Sequence, residues 1–120
     1  NITVIVELKG GNMLNHVVLV GRLSSDPIVE TSSSGKKYTI INLAVPRAFK
    51  NSSGVYETDF IRCVLWNGIA SNTSNYCHKG DIVGIKGRLQ NYSYEVEDKK
   101  KYFTEVIVER VTFLTSAEKN

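Results

Sequence analysis

Cysteine, proline, methionine and tryptophan are scarce in this chain, at 2, 2, 1 and 1 of 120 residues. Cys63 and Cys77 stand far apart, without a C-x-x-C pair, and His16 and His78 do not complete a metal-binding set. The expected state is two buried thiols in a reducing compartment, with no metal and no cofactor. No run of about 18 apolar residues occurs, so no membrane-spanning helix is expected. The opening "NITVIVELKGGN" lacks the basic and apolar regions of a signal peptide. Nor does charge of either sign dominate: 15 Lys and Arg against 12 Asp and Glu leave +3, a mild lean toward anionic partners. No G-x-x-x-x-G-K-[ST] loop exists, and the two histidines have no recognisable partners. An enzyme is therefore not expected.

Strand signals fill most of what is present. "HVVLVGRL" (16–23) is apolar and β-branched, with Gly21 where a long strand bends. "SSDP" and "SSSG" are turn clusters flanking a short extended "IVET". "KKYTIINLAVPRAF" (36–49) reads as a long strand that bends or meets an edge at Pro46. "KNSSG" is a hairpin loop and "VYETDFIRCVLW" (55–66) the returning strand. Residues 67–80 lose the alternation. Ile69, Ala70, Thr73, Tyr76 and Cys77 fall at helical spacing, with Gly80 as the stop. Strands resume at "DIVGIKGRLQNYSYEVE" (81–97), where Gly84 and Gly87 imply curvature or close backbone approach. A polar tip, "EDKKK" (97–101), precedes the last strand, 101–114. Three strands, one helix and two strands match an all-β, five-stranded Greek-key OB-fold barrel. The single mid-chain helix argues against a sandwich.

One strand carries the functional signal. On 55–66, Ile61, Cys63 and Leu65 share the parity of a core face, while Phe60, Arg62, Val64 and Trp66 share the other. Same-face residues lie roughly 6.5–7 Å apart, the stretched spacing of unstacked bases in a single strand. Phe49 and Arg47 share a parity on the facing strand; Tyr92 and Tyr94 share one on the fourth, after Arg88 and Gln90. Any base has a π face, so such rings bind single strands without reading sequence. Arg47, Arg62, Lys50, Lys79 and Arg88 supply cations for phosphates. Tyr38, Tyr56 and Tyr102 read as core or edge, and Tyr76 as packing the helix on the barrel. The alternatives are an OB-fold that binds RNA and a protein–protein adaptor using the same rings.

Five ordered blocks carry a resemblance: "MLNHVVLVGRLSSDP" (13–27), "INLAVPRAFKNSSG" (41–54), "TDFIRCVLWNGIASN" (58–72), "KGDIVGIKGRLQ" (79–90) and "YFTEVIVERVTFL" (102–114). Together they resemble the bacterial single-stranded DNA-binding proteins, closest to the Gram-positive branch. The resemblance implies an OB-fold, a homotetramer with 222 symmetry, and single-stranded DNA wrapped over aromatic platforms during replication, recombination or repair. It implies a cytoplasmic, nucleoid-associated bacterial protein. By position, Phe49, Phe60, Trp66 and Tyr94 fall where the family stacks bases, and Arg62 and Lys79 at backbone-contact positions. Tyr92 and Gln90 stand where some members have arginine, and Gly68 where some have a basic residue. The domain is expected over 13–114. Residues 1–12 are expected to be an N-terminal extension or a remnant of cloning, and 115–120 a disordered end. The acidic, Pro-Phe-containing tip that recruits partner enzymes in the family is absent from these 120 residues.

Overall fold

The computed structural model describes residues 14–115. The expectations for residues 1–12 and 116–120 lie outside the described residues. Six strands and one helix follow in the order β1 (Val17–Leu23), β2 (Glu30–Thr31), β3 (Lys37–Lys50), β4 (Tyr56–Trp66), α1 (Asn67–Tyr76), β5 (Ile82–Val96) and β6 (Lys99–Thr115). β1 pairs antiparallel with β5, β5 with β6, and β4 with β3, while β6 runs parallel to β4. β3 returns to β1 through Arg22↔Ala44 and Leu23↔Leu43. That last pairing closes five strands into the expected OB-fold barrel. β2, two residues long, lies beside the start of β3.

The alternation read from the sequence fills the barrel. Leu23, Ile41, Leu43, Cys63, Leu65, Val83, Ile85, Val106 and Val108 form the core, with Ala70 and Cys77 at the helix. Burial stabilises each large aliphatic side chain by about 1.5–3 kcal/mol relative to an exposed position. It also pushes the Cys63 thiol up to about 12. Both cysteines are free and buried.

Two glycines permit closure. A Cβ on Gly87 would lie 2.2 Å from the Ile107 carbonyl oxygen, and one on Gly21 2.7 Å from that of Ala44. Register shifts at Lys86/Gly87, and between Pro46 and Lys50, mark where β5 and β3 bend.

Three boundaries differ from the sequence expectation. The helix ends at Tyr76, and Gly80 sits beyond it, in a turn where its N–H donates to the Leu23 carbonyl. The β5–β6 tip is only Glu97 and Asp98, both left-handed at φ 51° and 64°, the conformation of a two-residue type I′ turn. Lys99, Lys100 and Lys101 therefore belong to β6. Thr115 ends that strand opposite Ile82. Among the described residues, no helix is long and apolar enough to cross a membrane.

Candidate nucleic-acid interface

Directly opposed residues in antiparallel strands share a face. Trp66 lies opposite Tyr38, Val64 opposite Ile40, Arg62 opposite Asn42 and Phe60 opposite Ala44. On the neighbouring strand Ile107 is level with Val64. From there β6 carries Glu105, Phe103 and Lys101 on the same parity, opposite Gln90, Tyr92 and Tyr94 of β5. The outer face of β3, β4, β6 and β5 is thus one curved sheet, with rings toward both ends and a charged centre.

The rings face solvent. Phe49 is 84 % exposed, Phe60 64 %, Tyr94 43 % and Trp66 36 %. None of the four is core. Val64 departs from expectation: it has the outward parity but is buried, level with Ile40 on one side and Ile107 on the other. Aliphatic neighbours on both flanking strands cover it, a lateral effect that alternation along one strand does not reveal.

Each end of the face is built differently. Trp66 is the last residue of β4 and keeps extended backbone at the helix N-cap; Asn67 follows at φ 54°, left-handed backbone that Asn tolerates. The Trp66 ring leans on Tyr38, centroids 5.4 Å apart at 42°. On the β5–β6 hairpin, Phe103 stacks with Tyr92 at 5.4 Å and 24°, and with Tyr94 at 5.2 Å and 3°. Phe103 and Tyr38 are platform residues that the sequence reading did not select. Tyr38 lies opposite Trp66 and Phe103 opposite Tyr92, relations that only strand register shows.

Two predicted cations have carboxylate partners. Arg62 Nε donates to Glu105 Oε2 at 2.9 Å, and its guanidinium lies 5.0 Å from the Tyr92 ring centroid. Glu105 is itself buried. Arg47 donates through Nε and Nη2 to Asp59, at 3.0–3.3 Å, and through Nη1 to Glu57 at 2.9 Å. Hydrogen bonding to Arg47 holds the Asp59 carboxyl below its ordinary range; the same bond, then the charges of Asp59 and Glu57, raise the pKa of Arg47.

The remaining sites are spread out. Lys50 Nζ lies 5.6 Å from the Tyr56 ring. Arg88 donates to Gln90 Oε1 at 2.7 Å and shares the parity of Tyr92. Lys79 lies exposed in the turn between α1 and β5, its backbone N–H donating to Asp26 Oδ1 at 2.7 Å. Phe49 lies past the Pro46 irregularity, near the β3–β4 tip. Tyr56 and Tyr102 are exposed strand residues, and Tyr76, though exposed, contacts Phe113 at 6.1 Å. Among the described residues, no cluster of three or more His, Cys, Asp or Glu side chains has a metal-binding arrangement.

A model of the single-strand binding protein family matches residues 14–114. The chain belongs to that family. Single-stranded DNA-binding protein B of Bacillus subtilis is 47 % identical over 103 residues, covering 85 % of this chain and 91 % of that protein. A single-stranded DNA-binding protein of Bacillus cereus is 48 % identical over 103 residues and 85 % of this chain, but only 61 % of its own length is matched. Among solved structures, a Plasmodium falciparum SSB complex with ssDNA superposes with a TM-score of 0.76 at 25 % identity, covering 86 % of this chain and 96 % of that one. The relatives are named as DNA-binding proteins rather than enzymes. For this family member, the open ring face lies on the barrel wall formed by β3, β4, β6 and β5.

Proposed function

We propose that this family member binds and protects single-stranded DNA in replication, recombination or repair, with little regard to sequence and without catalysis. The observation that carries this reading is the row of solvent-open rings along one curved face, Phe60 and Trp66 on β4, Phe103 on β6 and Tyr94 on β5, with the half-buried Tyr92 stacked against Phe103. Bases stack on those rings at about 1–3 kcal/mol each. Phe49 extends the platform on the β3–β4 hairpin. Lys50, Lys79 and Arg88 neutralise phosphates, and Arg62 and Arg47 lie within the path. The active form is a homotetramer with 222 symmetry, which the exposed Val18 and Val20 on the outer face of β1 support. The bacterial relatives support a cytoplasmic, nucleoid-associated setting.

The test is a titration of oligo(dT) of increasing length at two salt concentrations, read by Trp66 fluorescence, with mass from light scattering. Saturable quenching is expected, with a mass of four chains. Phe60→Ala combined with Trp66→Ala, read by anisotropy of a labelled oligo(dT) because the single tryptophan is gone, should weaken binding by about 2–6 kcal/mol while the fold survives. Wild-type-like affinity in the double variant would defeat the reading.

A further inference from the structure

Two of the three predicted arginines, Arg47 and Arg62, are already paired with carboxylates, and the pairing is lopsided; the third, Arg88, donates to the neutral Gln90. Three carboxylates, Glu57, Asp59 and Glu105, engage the two guanidiniums of Arg47 and Arg62. Asp59 accepts from two nitrogens of Arg47, an end the guanidinium would otherwise offer to a phosphate. Glu105 is buried beside Arg62, whose guanidinium also lies by the Tyr92 ring. Arg62 is therefore held as part of the ring surface rather than as a free cation.

This arrangement has a consequence for ligand choice. A polyanion that offers only its backbone, such as duplex DNA, meets Arg47 and Arg62 with their charge compensated and one carboxylate in excess, which leaves Lys50, Lys79 and Arg88 to attract it. A single strand offers unstacked bases as well, and stacking does not need the arginines. Discrimination is a difference of two affinities, and a repulsive element acting on one ligand creates it. We infer that Glu57, Asp59 and Glu105 are specificity-determining residues: by masking Arg47 and Arg62 they suppress backbone-only binding and so favour single strands over duplex. The inference rests on the single-strand reading above.

The experiment compares the wild type with an E57Q/D59N/E105Q variant, using a duplex and an oligo(dT) of matched length across a salt series. The substitutions keep side-chain volume while removing charge and replacing one acceptor oxygen of each carboxylate by a donor NH2. Duplex affinity at low salt should rise by roughly tenfold or more, with a smaller gain for oligo(dT). The slope of log K against log salt should steepen by about 0.9 per released arginine on duplex and about 0.7 on oligo(dT). Adding R47A and R62A to the triple variant should abolish the gain. If the triple variant does not fold, E57Q/D59N carries the test on Arg47, because Glu57 and Asp59 are both solvent-exposed. Unchanged duplex affinity and slope would overturn the inference, as would an equal gain for both ligands or a gain that survives removal of the arginines. A wild type that fails to bind oligo(dT) would instead refute the single-strand reading itself.

Discussion

The two ends of the ring face obtain rigidity from different sources. Trp66 stands at the barrel wall, next to buried Leu65 and at the entry to α1. Its orientation comes from a strand end that the hydrophobic core holds. Tyr92, Phe103 and Tyr94 stand on a hairpin where β5 and β6 have outrun the core, and the burial pattern of β5 beyond Gly87 is almost wholly exposed. Those rings hold one another by stacking, with Arg62 and Glu105 at their base. One platform is thus set by the barrel, the other by local side-chain contacts. Aromatic pairs contribute only about 0.5–1.5 kcal/mol each. The hairpin platform should therefore rearrange more easily on binding than the Trp66 end.

The largest expected separation comes from removing the hairpin rings. Tyr92→Ala with Tyr94→Ala should weaken oligo(dT) binding by about 2–6 kcal/mol. Its melting temperature should stay near that of the wild type, since neither ring belongs to the core. A fall in melting temperature comparable to that of a core truncation would erase the distinction between the two ends.

Gly87→Ala attacks the joint between them. Its Cβ would fall on the Ile107 carbonyl, at a backbone position that cannot yield as a side chain tip would. Denaturant unfolding should show a loss of about 1–3 kcal/mol or more. Amide exchange should increase across the β5–β6 ladder. Unchanged stability would mean that the barrel closes without this close approach.

The smallest effect reports on the barrel side alone. Burial raises the Cys63 pKa to about 12, from 9.0 for an unperturbed thiol. The folded state therefore holds the thiol proton more tightly than the unfolded chain does. That contribution is complete below pH 9 and is lost as pH climbs toward 12. Near pH 10 the loss should be about 1 kcal/mol, measurable as the difference between wild type and Cys63→Ala in urea titrations. A thiol reagent should leave Cys63 unmodified at pH 8 while ring stacking on the hairpin is disrupted. Rapid labelling in the Tyr92/Tyr94 variant would show that the two regions are coupled.

Legibility in the sequence followed the range of the interaction. Alternation along β4 showed Cys63 and Leu65 inward and Phe60 and Trp66 outward, because neighbouring side chains on a strand point to opposite faces. The helix is visible by its change of period, although it ends at Tyr76, four residues before Gly80. Phe103 was missed because its partners, Tyr92 and Tyr94, are defined by a register that a two-residue Glu97–Asp98 turn sets. The sequence predicts a longer polar tip there, over 97–101. The partners of Arg62 and Arg47 were missed for a related reason: Glu105 is 43 residues from Arg62, and Asp59 is 12 from Arg47.

By itself the sequence determined the strand-rich barrel, its single helix, the family and the outward placement of Phe49, Phe60, Trp66 and Tyr94. These follow from local periodicity, from glycine placement and from blocks of ordered residues. Only the tertiary structure decided which rings touch, which aliphatic side chain is covered from the side, and which arginines carry free charge. Those are cross-strand relations, and they exist only once the barrel closes and brings distant residues level with one another.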